Sequence, residues 1–75
     1  MNGEMTRIEH VEWCKVRARE YLDAGNAQEA VASMASDYGK HPEHANSQQM
    51  VASLSMIALT DGTIGAARRF VEGFN

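Results

Sequence analysis

Apolar positions recur along the chain at spacings of three and four residues, which is the period of one face of an α-helix. Thr6 and Glu9 have the spacing of a capping box, in which each side chain accepts a hydrogen bond from the other residue's backbone N–H. The pattern therefore predicts a first helix that begins after Thr6 and ends near Gly25. Its apolar stripe is Ile8, Val11, Cys14, Ala18, Tyr21 and Leu22.

A second stripe follows the segment "DAGN", in which Gly25 is predicted to adopt the left-handed conformation that often ends helices. Asn26 and Glu29 repeat the capping-box spacing, while Gly39 and Pro42 supply stop signals. We predict a second helix between these two sets of signals. Its apolar positions are Ala27, Ala30, Val31, Met34, Ala35 and Tyr38.

The third segment is apolar on nearly every side. It is predicted to begin between His44 and Ser47, and a helix that is apolar all round is usually a buried one. We therefore predict that helix three is the central helix and that Ile57→Asp prevents folding. The apolar residues are Met50, Val51, Leu54, Ile57 and Ala58 on one side and Ala52, Met56 and Leu59 on the other.

A fourth helix follows "TDGT", where Gly62 turns the chain and Thr63 caps the helix. Arg68 and Glu72 lie four residues apart and are predicted to pair on the solvent side. The inner stripe is Ile64, Ala67, Phe70, Val71 and Phe74. The sequence shows no strand-like alternation, so the predicted fold is all-α, with four short helices in two antiparallel hairpins. Residues 6–75 form the predicted single domain, and residues 1–5 a flexible extension.

The two predicted glycine turns are 37 positions apart, at Gly25 and Gly62. The same shift places four further small or apolar residues in register. It pairs Cys14 with Val51, Leu22 with Leu59, Ala30 with Ala67 and Met34 with Val71. Two interpretations remain open: an internal repeat, or two helical hairpins that meet the same structural demands.

Size and charge narrow the function classes. A 75-residue chain forms one domain, and its single cysteine excludes an internal disulfide, in keeping with a reducing compartment. The net charge of −3 argues against non-specific nucleic-acid binding, which needs an excess of Lys and Arg. The apolar run "MVASLSMIALT" is too short to span a bilayer, and the N-terminus has no leader-like pattern. We expect a cytoplasmic protein that does not bind membranes.

Metal ligation and catalysis find little support in the sequence. His10 lies four residues before Cys14, and His41 and His44 flank "HPEH", but a zinc site needs three or four converging ligands. We interpret "HPEH" as a helix stop and loop, and Cys14 as a small core residue. The segment "DGTIGA" lacks the lysine and spacing of a phosphate-binding loop. The sequence therefore predicts no metal, no cofactor and no enzymatic activity.

Trp13 and Val16 lie away from the first stripe, beside Arg17 and Glu20. Trp13 either packs against a neighbouring helix or anchors a partner, since Trp and Arg dominate interface hot spots. If the surface is free, it could pair with its own copy, each Arg17 meeting the Glu20 of the other chain in a homodimer. It could equally receive a foreign partner.

Arg68 and Arg69 on the predicted last helix offer an alternative from another class, a small DNA-binding regulator. Glu72 follows one turn later and would face the phosphates, and the chain is acidic overall. A solvated helix face is therefore the favoured interpretation of this pair.

The first hairpin resembles a tetratricopeptide repeat. Tyr21 matches the aromatic position of that motif, Ala30 and Met34 stand at its A-x3-F positions, and Pro42 closes the unit. Cys14 stands where the family has tryptophan. The resemblance covers about half of the chain and implies helix pairs stacked side by side, with peptide binding in a concave groove.

Nearly the whole chain from Met5 onward resembles a group of small uncharacterised proteins of tailed bacteriophages. The resemblance is carried by "MTRIEHVEWCKVRAREYLDAGNAQEAVASMASDYGKHPEH" and the ending "RRFVEGFN". It implies a phage origin and a start at Met5, and it brings no activity with it. The expected function is a phage accessory protein that binds and occludes a host protein in the host cytoplasm. A virion or assembly role is the other protein-binding alternative.

Overall fold

The computed structural model describes residues 6–74, apart from the side chains of residues 42, 43 and 45. Its four α-helices are α1 (Arg7–Asp23), α2 (Ala27–Tyr38), α3 (Gln48–Asp61) and α4 (Ile64–Glu72). A 3₁₀ helix (Pro42–Ser47) lies between α2 and α3, so α3 begins slightly later than predicted. No β-strand occurs in residues 6–74, which confirms the all-α prediction for that range. The predicted flexible extension, residues 1–5, lies outside the described residues.

Of the three predicted N-caps, Thr6 and Thr63 make the expected side-chain hydrogen bonds and Asn26 does not. Thr6 Oγ1 accepts a hydrogen bond from the Glu9 N–H at 3.1 Å, and the Glu9 carboxylate accepts one from the Thr6 N–H at 2.9 Å. At the start of α4, Thr63 Oγ1 accepts from the Ala66 N–H at 3.1 Å. The predicted second capping box is wrong, because the Asn26 side chain makes no cap hydrogen bond.

Both predicted glycine turns are present. Gly25 has φ of +79° and Gly62 has φ of +75°, values at which a side chain would strain the backbone. At the first turn the Asn26 N–H donates to the Tyr21 carbonyl at 2.9 Å and so closes α1. Asn26 is therefore held by the end of α1, with φ of −97° and ψ of +79°, outside the extended conformation from which N-cap side chains usually bond.

The core is centred on α2, which packs against all three other α-helices. Most of the buried apolar side chains come from α1 and α2, and α3 and α4 supply fewer. The buried cluster consists of Val11, Cys14, Ala18, Leu22, Ala30, Val31, Met34, Tyr38, Val51, Ala58, Ala67 and Val71. Helices α1 and α4 also contact each other, so α1, α2 and α4 together surround the centre of the domain.

The prediction that helix three is central is wrong. Only Val51 and Ala58 of α3 are buried, and Ile57 is 68% exposed. The Cα atoms span 40 × 25 × 15 Å, and the shortest dimension holds only about two helix layers at a packing distance of about 8–10 Å. Since α2 occupies the inner position, α3 lies at the side of the domain. Ile57→Asp is therefore expected to fold.

The positions paired by the 37-residue shift are only partly equivalent in the fold. Cys14 and Val51 are both buried, and so are the pairs formed by Ala30 with Ala67 and by Met34 with Val71. Leu22 is 3% exposed, whereas Leu59 is 40% exposed. The two halves share their turns and part of their core pattern, but the end of α3 is not covered as the end of α1 is.

Candidate functional site

Most of the large apolar side chains exposed in residues 6–74 belong to α3. They are Met50, Leu54, Met56, Ile57 and Leu59, compared with Ile8, Val16 and Tyr21 on α1. Exposed apolar side chains are common singly, but a contiguous group on a small protein marks an interaction surface. Sequence reasoning assigned the five α3 residues, Ile8 and Tyr21 to the core, and only Val16 to the surface. Apolar character alone could not separate a buried helix from a binding surface.

A groove with a volume of about 520 Å³ lies between α3 and α4 and contains part of this exposed group. Met50, Leu54 and Ile57 contribute from α3, at spacings of four and three that place them on one helix face. Phe70 and Phe74 contribute from the other side. We call this feature the α3–α4 groove. Its composition suits an apolar ligand surface.

The aromatic side of the α3–α4 groove is held by ring contacts. Phe70 and Phe74 meet edge to face, with ring centroids 5.1 Å apart and planes at 84°. Phe74 also contacts Tyr38 of α2 at a centroid distance of 4.6 Å. Such pairs add about 0.5–1.5 kcal/mol beyond area burial, so these contacts help to hold the two phenylalanine rings in place.

Two charged residues, Asp61 and Arg69, also line the α3–α4 groove. Hydrogen bonds from the Thr63 hydroxyl and N–H lower the pKa of Asp61 below its ordinary value, so this carboxylate is ionised at neutral pH. A ligand that places an apolar face in the groove therefore meets one negative and one positive side chain in addition to the apolar wall.

Trp13 packs, partly buried, against the hydrophobic core. Its ring stacks on the His10 imidazole at a centroid distance of 5.7 Å. Arg17 also contacts the indole, with its guanidinium carbon 5.0 Å from the centre of the ring. Much of the indole surface is thus engaged within the chain.

The rest of the predicted Trp13 surface is divided in its contacts. Val16 is 52% exposed and Glu20 is exposed. Arg17 donates to the buried Asp37 carboxylate, with Nε–Oδ2 at 2.6 Å. Lys40 donates to the same carboxylate at 3.0 Å. Arg17 therefore has an intramolecular partner in Asp37.

Arg68 and Arg69 are both exposed on α4, as the predicted alternative requires. The predicted pairing of Arg68 with Glu72 is replaced by an ion pair between α4 and α1. Arg19 donates twice to the Glu72 carboxylate, at 2.7 and 2.8 Å, and Lys15 donates to the Glu72 carbonyl at 3.4 Å. These contacts fix α4 against α1 and keep a carboxylate close to the arginine pair.

Sequence reasoning did not anticipate that the three histidines of the chain come together. His10 is on α1, His41 follows α2, and His44 lies in the 3₁₀ helix, yet their ring centroids are 5.1–5.2 Å apart. We call these three residues the histidine triad. The signal in the sequence was the pair of short spacings, His10 with Cys14 and His41 with His44, each of which places two potential ligands near each other.

Cys14 lies beside the histidine triad, with its Sγ 3.7 Å from His10 Nε2. The thiol is fully buried, as predicted for a core residue, and this burial raises its pKa to about 11. Burial also lowers the pKa of His10, and the neighbouring His44 and His41 lower it further. As described, residues 6–74 contain no group of three or more His, Cys, Asp or Glu side chains arranged to hold a metal ion.

No family model, curated protein or solved structure matches this chain. None of the helices in residues 6–74 combines the length and apolar character that crossing a bilayer requires.

Proposed function

We propose that this chain is a small helical binding protein whose α3–α4 groove takes up an amphipathic helix of another protein. The observation that carries this assignment is the exposure of Met50, Leu54 and Ile57 along one face of α3, opposite the aromatic side of the groove. Helix-in-groove recognition uses apolar anchors spaced by three or four residues on both partners. Met50 to Asp61 covers about 16 Å at 1.5 Å per residue, the length of about three helical turns.

The concave shape of the α3–α4 groove favours a foreign helix over a second copy of the chain. A two-fold axis brings the same surface of each copy together, and two concave surfaces leave space between them. Docking of the exposed side of α3 into a neighbour's groove would be heterologous and would continue from copy to copy without closing. The occupant to which we commit is therefore a helix of a different protein.

The resemblance to small proteins of tailed bacteriophages supports a host protein as that partner. Occupying a helix that the host protein needs for its own contacts would block its working site, and occlusion requires no catalytic residue in this chain. The tetratricopeptide resemblance belongs to the same hypothesis, since it implies two stacked helical hairpins and peptide binding in a groove. Contacts of α1 with α2 and of α3 with α4 support such stacking.

The test compares three forms of the chain as bait in infected or uninfected host cells: wild type, Ile57→Asp and Val16→Asp. Ile57 lines the groove, and Val16 is a matched exposed β-branched residue on the separate Trp13 surface. We expect a host protein to be retained by wild type and Val16→Asp and lost with Ile57→Asp. The purified pair should then form a 1:1 complex through one helical segment of the host protein.

Other outcomes assign the function differently. Loss of the partner with Val16→Asp instead of Ile57→Asp would place binding on the Trp13 surface. A wild-type dimer in sedimentation that Ile57→Asp converts to monomer would make a second copy the occupant. Recovery of a phage structural protein would indicate the virion or assembly role. Salt-dependent retention on DNA, lost on replacing Arg68 and Arg69 with alanine, would indicate the regulator.

A further inference from the structure

The three rings of the histidine triad come from three different segments of the chain. His10 lies on α1, His41 follows α2 and His44 lies in the 3₁₀ helix, with ring centroids 5.1–5.2 Å apart. Their mutual contact therefore joins α1 to the segment between α2 and α3. Since Gln48 begins α3 directly after this segment, the same contact helps to fix where α3 starts.

His44 is buried as a neutral imidazole. It is 2% exposed, and its ring stacks on Tyr38 with a centroid distance of 3.9 Å. Its Nδ1 lies 3.0 Å from the Tyr38 carbonyl oxygen, and because a carbonyl only accepts, Nδ1 carries the proton. Nε2 is buried and has no hydrogen-bond partner among the described residues. A proton added at Nε2 would therefore place a positive N–H where no described group accepts it.

His10 is buried beside His44. It is 6% exposed, and its ring stacks on the Trp13 indole at a centroid distance of 5.7 Å. Burial lowers the pKa of His10, and charge on His44 or His41 lowers it further. A backbone hydrogen bond and the charge of Asp37 raise the pKa of His10, but the lowering effects prevail. The fold therefore holds His10 in its neutral form.

The charged groups around the histidine triad do not supply a free carboxylate for a protonated ring. Asp37 Oδ2 accepts from Arg17 at 2.6 Å and Oδ1 accepts from Lys40 at 3.0 Å, so two cations already hold this carboxylate. The Cys14 thiol beside His10 is neutral, because burial raises its pKa to about 11. Other groups at or next to the triad are Arg7 one turn before His10, Glu43 next to His44 in sequence, and Tyr38 with Phe74 beyond it, while α3 has no ionisable side chain before Asp61 at its far end.

We propose that the histidine triad is an acid-sensitive contact that holds the segment between α2 and α3 against α1 at neutral pH and releases it when the imidazoles take up protons. Histidine is the side chain whose charge ordinarily changes between about pH 5 and 8. Two protonated rings 5.1–5.2 Å apart repel each other, and a buried site screens this repulsion poorly. Because the rings belong to separate segments, moving one segment away relieves the repulsion.

Acid should therefore reduce the stability of the fold. Because folded His10 binds its proton less tightly than unfolded His10, its full stabilisation is present above the ordinary pKa of 6.5 and is lost as pH falls from there toward the folded pKa. Aspartate and glutamate side chains ordinarily take up protons lower, at about pH 4. The two effects can thus be separated by pH.

The release would also reach the α3–α4 groove. Tyr38, on which His44 stacks, lines that groove and contacts Phe74 at a centroid distance of 4.6 Å. Withdrawal of the His44 ring would uncover one face of Tyr38 and remove support from the aromatic side of the groove. Weaker binding of a partner helix in acid follows, and this consequence, unlike the release itself, rests on the proposed function.

The experiment measures urea denaturation of the full chain without a histidine tag at pH 8, 7, 6 and 5. We expect the urea midpoint of the wild type to fall chiefly between pH 7 and pH 5. Without urea, the near-ultraviolet circular dichroism of the packed rings should weaken over the same range while the far-ultraviolet helix signal persists. Emission from Trp13, the only tryptophan in the sequence, should decrease, because a protonated imidazole quenches an indole stacked on it. Equal midpoints at pH 8 and pH 5, or loss of the aromatic and helical signals together, would overturn the proposal.

Two variants assign the effect to the histidine triad. His44→Phe keeps a ring against Tyr38 and His10→Phe keeps a ring beside Trp13, but neither new side chain can be protonated. Each variant, compared with its own midpoint at pH 8, should lose less between pH 7 and pH 5 than the wild type does. Gln49→Ala, an exposed change at the start of α3, is the control and should keep the wild-type fall. A fall in both histidine variants as large as that of Gln49→Ala would show that the triad is not responsible.

Discussion

The first half of the chain, α1 with α2, and the second half, α3 with α4, use the same turn but differ in how they bury their apolar residues. The turns have nearly equal φ, +79° and +75°. In the first half most of the stripe residues are buried, with Ile8 and Tyr21 exposed, whereas in the second half α3 leaves most of its large apolar side chains exposed. The two halves therefore share the same local glycine turn, but how far the apolar side chains of a helix are buried depends on the position of that helix in the whole domain.

α4 does not share the exposure of α3. Its Ala67 and Val71 are buried against α2, and Glu72 is held by Arg19 of α1. α3 contacts α2 and α4 and leaves most of its large apolar side chains exposed, three of them in the α3–α4 groove. The second half is therefore asymmetric, with α4 completing the core and α3 presenting a surface.

The largest expected difference is between a charge in the core of α2 and a charge on α3. Met34 is fully buried, so Met34→Asp places an unpaired carboxylate in the centre and should prevent folding. Ile57→Asp should remain helical and melt cooperatively, because the new carboxylate reaches water. Circular dichroism with thermal melting measures both. An unfolded Ile57→Asp beside a folded Met34→Asp would reverse the assignment of core and surface.

Leu22 and Leu59, which the 37-residue shift pairs, give a smaller and matched difference. Leu22→Ala removes a buried side chain and should cost about 2–5 kcal/mol of unfolding free energy. Leu59→Ala should cost less than about 1 kcal/mol, since Leu59 is already 40% exposed. Urea denaturation of both variants gives the two values. Equal losses would mean that the end of α3 is covered as the end of α1 is.

Asp37, in the first half of the chain, makes a contribution to the free energy of unfolding that depends on pH. Burial raises its pKa, but hydrogen bonds and charge from Arg17 and Lys40 together lower it below its ordinary value of 3.8. Because the folded carboxyl binds its proton less tightly than the unfolded one, its stabilisation is present above about pH 4 and is lost as pH falls through the folded pKa.

Asp37→Asn should therefore cost about 1–3 kcal/mol at pH 7 and progressively less in acid. Urea denaturation of wild type and variant at pH 7 and at pH 3 measures the change in the gap between them. Ser36→Ala, an exposed neighbour, is the control and should give a small gap that does not vary with pH. A gap for Asp37→Asn that stays constant down to pH 3 would contradict the lowered pKa.

The smallest expected effect is one that the two halves share. A Cβ at Gly25 meets no atom within 4 Å, and one at Gly62 meets only the Leu59 carbonyl oxygen at 3.8 Å. Gly25→Ala and Gly62→Ala should therefore each cost about 1 kcal/mol, from the positive φ alone. Thermal melts of the two variants should coincide. Clearly different losses would show that the turns are not equivalent.

Local signals allowed the helices and most of their ends to be predicted. The Thr6 box, the Thr63 cap and the two glycines act through hydrogen bonds and torsions within a few residues, so the sequence alone specifies them. The prediction of a cap at Asn26 was wrong because the hydrogen bond that closes α1 sets the backbone conformation of Asn26. The prediction that α3 is buried was wrong for another reason. Which apolar helix lies inside depends on how the four helices pack together in a small domain.

The α3–α4 groove and the histidine triad were not predicted for related reasons. Apolar composition placed Met50, Leu54 and Ile57 in the core, and only the packed fold shows that no other helix covers them. His41 and His44 follow α2 closely, so their approach to His10 depends on the path of the chain through the 3₁₀ helix. Sequence spacing shows neighbours within one element, but it does not show which elements meet.

Because Cys14 is completely buried, the rate at which its thiol is labelled measures local opening of the fold. A thiol with no exposed surface and a pKa of about 11 reacts with alkylating reagents only when α1 separates from its neighbours. Since it is the only cysteine in the sequence, one labelling rate measures one event. Labelling that proceeds at the rate of global unfolding would mean that α1 never opens alone, whereas faster labelling would reveal a partly open state in which the rest of the domain persists.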